Sequence, residues 1–114
     1  MNWHLLSAED TIQEILSKST EADHKAVLIY KHSTRCSVSL MAKRMLESNW
    51  DVENVPAYYL DILQYRGISN KLSDLFGIRH ESPQVLLIKN GKCIYHDSHM
   101  GVSSENVKKA LLKL

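Results

Sequence analysis

The chain has 114 residues, enough for one domain with a substantial core, and 44% hydrophobic with 24% charged content is ordinary for a globular protein. Fourteen Lys and Arg against thirteen Asp and Glu leave a net charge of +1, which offers no footprint for nucleic acid or an anionic membrane surface. The longest apolar runs, Ala26–Tyr30 and Val85–Ile88, are too short to cross a bilayer. The residues after Met1 lack the basic and apolar regions of a secretory leader, so a cytoplasmic, reducing location is expected. In that setting two cysteines are better read as catalytic or inert than as a structural disulfide.

Trp3–Leu6 reads as a short edge strand. Ser7-Ala8-Glu9-Asp10 reads as a capping box opening a helix with Ile12, Ile15 and Leu16 at helical spacing. Within Lys25–His32 the run Ala26-Val27-Leu28-Ile29-Tyr30 is apolar on both faces, as a central strand requires. From Cys36 onward, Val38, Met41, Ala42, Met45 and Leu46 fall at i, i+3, i+4, i+7 and i+8 and predict a helix packed through that stripe. Ala57–Ile62 is a second strand with Tyr58 and Tyr59 as β-formers. Ser69 is a candidate cap for a helix carrying Leu72, Leu75 and Phe76, with Gly77 at its exit. Gln84–Lys89 and Lys92–Asp97 flank Asn90-Gly91, a strong hairpin signal. Ser103 caps a last helix with Val107, Ala110, Leu111 and Leu114 in register and Val102 as its staple. The order β-α-β-α-β-α-β-β-α predicts an α/β fold spanning residues 1–114 as one domain. It has three layers, with helices on both faces of a central mixed sheet.

Cys36 is the most informative residue. It lies in Ser33-Thr34-Arg35-Cys36-Ser37-Val38-Ser39, at a strand-to-helix junction. Unpaired backbone N–H groups and the helix dipole favour an anion there, and thiolate is the reactive form of cysteine. Three residues on, where a dithiol motif carries its second cysteine, stands Ser39, a candidate donor to the thiolate. Thr34 and Arg35 are candidates to steady the thiolate or a substrate carboxylate, against the plainer reading of Arg35 as an exposed loop cation. Cys93 could resolve Cys36 by forming a disulfide, but it lies in the hairpin strand, distant in sequence from the motif, and is expected to be a small hydrophobe on a half-buried strand. Cys93, His96 and His99 have a metal-like spacing, but residues three apart on a strand face opposite ways, so no metal site is expected. His32, at the end of the strand leading to Cys36, could acidify the thiol, but the expectation is a strand-end histidine exposed to water.

These features resemble the thioredoxin fold. The stretch Phe76-Gly77-Ile78-Arg79, then Ser82-Pro83-Gln84-Val85-Leu86-Leu87-Ile88-Lys89-Asn90-Gly91-Lys92, is similar to the thioredoxin segment in which a helix exit leads to a cis-proline, a strand and an Asn-Gly hairpin. By that resemblance Pro83 is the cis-proline and Ser82 the residue whose backbone faces the substrate. More narrowly, the whole chain resembles the YtxJ-type monothiol bacilliredoxins, small proteins of bacillithiol-dependent thiol redox systems. Their Thr-x-Cys-Pro-Ile-Ser motif corresponds to Thr34-Arg35-Cys36-Ser37-Val38-Ser39, which departs from it at Ser37.

The resemblance implies a thiol–disulfide oxidoreductase with no bound cofactor and no metal, acting through Cys36 with Ser39. Its partners would be S-thiolated client proteins and a low-molecular-weight thiol, bacillithiol. Neither nucleic acid nor membrane is involved, and the protein is expected to be a monomer or weak dimer. The alternative is a non-catalytic thioredoxin-fold module that binds a peptide beside Pro83. A reductase of a small oxyanion would need several arginines at the thiol, and only Arg35 is there.

Overall fold

A computed structural model describes residues 1–114. The elements are β1 (Trp3–Leu5), α1 (Glu9–Thr20), β2 (Val27–His32), α2 (Ser37–Glu47), β3 (Ala57–Asp61), α3 (Arg66–Phe76), β4 (Gln84–Lys89), β5 (Lys92–Ser98), a 3₁₀ turn (His99–Gly101) and α4 (Ser104–Leu111). One five-stranded mixed sheet has the order β1-β3-β2-β4-β5. β3 runs parallel to both β1 and β2, whereas β4 is antiparallel to β2 and β5. The expected element order and three-layer α/β architecture are therefore present. No helix is long and apolar enough to cross a membrane.

β2 lies in the middle of the sheet and is buried along its whole length. Its residues alternate between two cores. Val27 and Ile29 meet Ile12 and Ile15 of α1 and Ile68 and Leu72 of α3. Leu28 and Tyr30 meet Ala42 and Leu46 of α2 and Val107 of α4. Burying a leucine such as Leu46 or Leu72 fully is worth on the order of 2 kcal/mol. At the hairpin Asn90 and Gly91 both take positive φ, 53° and 74°, the backbone that a two-residue turn of this hand needs. Gly77 ends α3 in the left-handed conformation, φ 65°. The Ser103 hydroxyl accepts the Asn106 N–H at 3.1 Å, so this cap forms as the sequence suggests.

Other local expectations are corrected. The N-cap of α1 is Ala8 and its side chain makes no capping bond, so the box at Ser7 is out of phase by one residue. α3 begins at Arg66, three residues before Ser69; the helix continues the turn closed by the Tyr65 N–H on the Asp61 carbonyl. Ser69 is buried mid-helix with its hydroxyl 3.0 Å from His80 Nδ1. The buried row of α2 is Ser39, Ala42 and Leu46, while Val38, Met41 and Met45 are exposed. His32 is buried at 2% exposure.

β5 carries a bulge: Leu87 faces Tyr95 while the adjacent Ile88 faces Cys93. Because Ile88 and Leu86 share a face, their partners Cys93 and His96 share it as well, contrary to simple alternation. No group of three metal-ligating side chains forms around them.

The two last residues of β2 are polar and buried. Lys31 has no exposure, and its Nζ reaches only Ser73 Oγ at 3.3 Å and His80 Nδ1 at 3.4 Å. Burial, and then the Arg66 charge, lower its pKa from 10.5 to about 8. Below pH 8 both folded and unfolded chains carry this proton, and the folded one bears the cost of a buried ammonium. Between about 8 and 10.5 only the unfolded chain binds it, so that cost is relieved as pH rises. Lys31→Met is therefore expected to stabilise the protein at pH 7 by on the order of 2 kcal/mol. In thermal melts its advantage over the wild type should shrink steadily above pH 8; an advantage that is absent at pH 7, or constant with pH, would contradict this account.

Candidate functional site at Cys36

The site stands at the end of β2, where the central strand gives way to α2. The Cys36 N–H donates to the Ser33 carbonyl at 3.1 Å, closing a turn with Thr34 and Arg35 exposed at its tip. Cys36 itself is the N-cap of α2, with extended backbone (φ −109°, ψ 120°), and its carbonyl accepts the Leu40 N–H at 3.2 Å. The thiol is free and half-buried.

Its environment favours the thiolate. The Ser39 N–H is the main cause that holds the Cys36 pKa below the ordinary cysteine value; partial desolvation opposes it, and the Val38 N–H and the Ser39 hydroxyl add to the lowering. Ser39 is fully buried. Its Oγ accepts the Ser33 N–H at 3.4 Å, which leaves the hydroxyl hydrogen free to be donated toward the sulfur. Its carbonyl accepts the Tyr30 hydroxyl at 2.7 Å. Sequence reasoning overlooked Tyr30 and misplaced His32. The available signal was a pair of polar residues, two apart, on one face of an otherwise apolar strand. The His32 ring packs against those of Tyr30 and Tyr59, at centroid distances of 5.6 and 5.3 Å, in a cluster of three. Burial, then the Lys43 charge, lowers its pKa.

Pro83 is brought to the same end of the sheet. Gln84, the residue after Pro83, pairs with Lys31, so the Ser82–Pro83 segment adjoins the end of β2. The Ser82–Pro83 bond is cis. The Pro83 carbonyl accepts the His99 N–H at 3.0 Å, which ties the 3₁₀ turn to the site. The Ser82 hydroxyl is buried without a hydrogen-bond partner.

Two clefts flank Cys36. One, of about 430 Å³, is apolar and is lined by Val38, Met41, Met45, Met100 and Val102 together with His99. The other, of about 390 Å³, is polar and is lined by Thr34, Arg35, Asp61, Leu63 and Gln64.

Cys93 is not brought to the site. It faces Ile88, which faces Val27 at the start of β2, whereas Cys36 follows the end of β2. The five steps from Val27 to His32 span about 16 Å, far beyond the Cα separation of about 7 Å that a disulfide tolerates. Burial raises the Cys93 pKa, and its Sγ donates to the Tyr95 carbonyl at 3.4 Å.

Ser39→Ala is expected to raise the pH midpoint of iodoacetamide alkylation at Cys36 and to slow the reaction on the acid side by up to about tenfold, because the thiolate loses a neighbouring hydroxyl donor. Peptide mass mapping would follow both cysteines. Equal midpoints for Cys36 and Cys93 in the wild type would refute the assignment of an activated thiol.

Comparison with known proteins agrees with this geometry. The chain superposes on a protein provisionally described as an oxidoreductase with a thioredoxin fold, with a TM-score of 0.80 and 24% identity over 93% of this chain and 90% of the other. It also matches the thioredoxin of Malassezia sympodialis (TM-score 0.72, 22% identity, 98% and 90% covered). The thioredoxin of Trypanosoma brucei brucei gives a TM-score of 0.77 at 12% identity, with 98% and 89% covered. These likenesses establish the thioredoxin fold. The model of the family described as monothiol bacilliredoxin BrxC matches residues 4–107. The chain therefore belongs to the BrxC monothiol bacilliredoxin family, and that membership carries a thiol redox function.

Proposed function

We propose that the protein is a cytoplasmic monothiol oxidoreductase that removes bacillithiol from mixed disulfides on client proteins through Cys36. The observation that carries this reading is a single thiol at a helix N-cap, held below its ordinary pKa by Ser39, with the other cysteine at the far end of the sheet. The Cys36 thiolate attacks the small-thiol sulfur of the mixed disulfide. A new S–S bond forms to the small thiol, the old one breaks, and the client departs as a thiolate that takes a proton from water. A second small thiol then attacks the adduct, leaving as the symmetrical disulfide and restoring the Cys36 thiolate. Electrons balance at each step, and neither a metal nor a bound cofactor takes part.

In this reading Ser39 stabilises the thiolate as attacker and as leaving group. Thr34 and Arg35, on the polar cleft, receive the small thiol, with the guanidinium suited to a carboxylate. The backbone of Ser82, set by cis-Pro83, aligns the client chain. The apolar cleft accepts client side chains next to the modified cysteine.

A serine hydroxyl forms no S–S bond, so the Cys36 adduct should accumulate when no second thiol is supplied. Intact mass after reaction with a client protein carrying a bacillithiol mixed disulfide should show one small-thiol adduct per chain, mapped to Cys36. Cys36→Ser should abolish both the adduct and client release; Cys93→Ser should leave both nearly unchanged. An internal Cys36–Cys93 disulfide as the main product would overturn the monothiol mechanism. The same reaction with a glutathione mixed disulfide tests the identity of the small thiol.

A further inference from the structure

Tyr30 is a tyrosine in the middle of a central strand, without solvent exposure, where phenylalanine would fill the same space at no polar cost. Its hydroxyl crosses to the first turn of α2 and donates to the Ser39 carbonyl at 2.7 Å. The single hydroxyl hydrogen is spent there. The 3.3 Å contact between His32 Nδ1 and the Tyr30 oxygen must then be donated by the histidine, which fixes the proton of neutral His32 on Nδ1. A directed chain results: His32 Nδ1–H to Tyr30, and Tyr30 O–H to Ser39. Ser39 is the residue whose N–H and hydroxyl favour the Cys36 thiolate. The opposite side of Ser39 is held through its Oγ by the Ser33 N–H at 3.4 Å.

We propose that Tyr30 is a positioning residue for Cys36: its hydroxyl, oriented by His32, fixes the first turn of α2, so that the Ser39 N–H and hydroxyl are held in place near the sulfur when it ionises. This inference rests on Cys36 being the reactive thiol. Without the hydroxyl, the Ser39 carbonyl loses its 2.7 Å donor from the central strand, the turn gains freedom, and its donors meet the thiolate less often in line. The thiol then becomes less acidic and, once ionised, more nucleophilic. A merely structural loss would not produce that split.

The test is the pH profile of Cys36 alkylation, read by peptide mapping, in the wild type, in Tyr30→Phe and in Tyr58→Phe. Tyr58 is equally buried, but its hydroxyl bonds Glu14 on α1 at 3.0 Å, away from Cys36. Tyr30→Phe should shift the midpoint upward and slow the acid limb by roughly threefold, while the alkaline plateau stays level or rises. Tyr58→Phe should keep the wild-type profile. An unshifted midpoint in Tyr30→Phe, or an equal shift in both variants, overturns the proposal even though Cys36 remains the alkylated residue. Reaction confined to Cys93 would instead defeat the functional reading itself. Should Tyr30→Phe fail to fold, the ¹³Cζ resonance of Tyr30 in the wild type decides the matter. It should titrate with the Cys36 midpoint and be flat in Cys36→Ser, and a flat wild-type curve overturns the proposal.

Discussion

Ser39 is held from two sides by hydrogen bonds, one on its carbonyl and one on its hydroxyl oxygen, and the environment of Cys36 depends on that grip. A helix N-terminus alone presents N–H groups to any neighbouring anion, but a fraying first turn presents them diffusely. Here the first turn of α2 is nailed to the central strand by a buried hydroxyl and to the preceding loop by a backbone amide. A donor that does not have to reorganise when the thiol ionises stabilises the anion more than a mobile one does. Ser39 therefore does more than fill the position of a missing second cysteine. In the proposed mechanism it supplies a fixed dipole where a dithiol enzyme would supply a nucleophile.

The central strand serves two ends. Its first four residues, Val27 to Tyr30, feed both hydrophobic cores, and its last three, Tyr30 to His32, are polar and enclosed. Tyr30 and His32 lie under α2 and bear on the thiol. Lys31 points to the other face, where Ser73, Ser69 and His80 surround it without a carboxylate. An unpaired buried ammonium is a burden on the folded state. Such burdens gather at functional sites more often than elsewhere, and this one pairs across the sheet with Gln84, the residue after Pro83. The structure thus concentrates its least comfortable groups at one end of the sheet.

The same end of the sheet divides the surface around Cys36 into an apolar and a polar cleft. The apolar one exists because α2 rotates Ser39, Ala42 and Leu46 inward and leaves Val38, Met41 and Met45 outside. Exposing three apolar residues in a row along a helix is costly unless something covers them, and methionine suits a surface that must adapt to different partners. Met100, 91% exposed on the 3₁₀ turn, closes the far wall. The turn is itself tied to Pro83 through the His99 N–H, so this wall of the cleft is anchored to the residue that precedes β4.

Much of this protein was legible in its residues alone. The apolar run before Cys36, the helical period after it, the Asn-Gly turn, Gly77 and the Ser103 cap are local features, and each constrains the backbone within a few residues of itself. They determined the element order, the three-layer class and the position of the thiol at a helix start. Tertiary structure decided what local rules leave open. Helical spacing says which side chains share a stripe; only the packing of α2 on β2 chose the Ser39 stripe over the methionine one. The caps expected at Ser7 and Ser69 failed because a shift of one to three residues in a helix start moves a hydroxyl out of reach of the free N–H groups. Alternation along β5 was broken by a bulge that depends on its partner strand. His32 looked like a solvated strand end, but β3 and β4 pair on either side of β2 and α2 and α3 cover its faces. Burial at a strand end is set by neighbours distant in sequence, and so is the hydrogen bond from Tyr30 to Ser39.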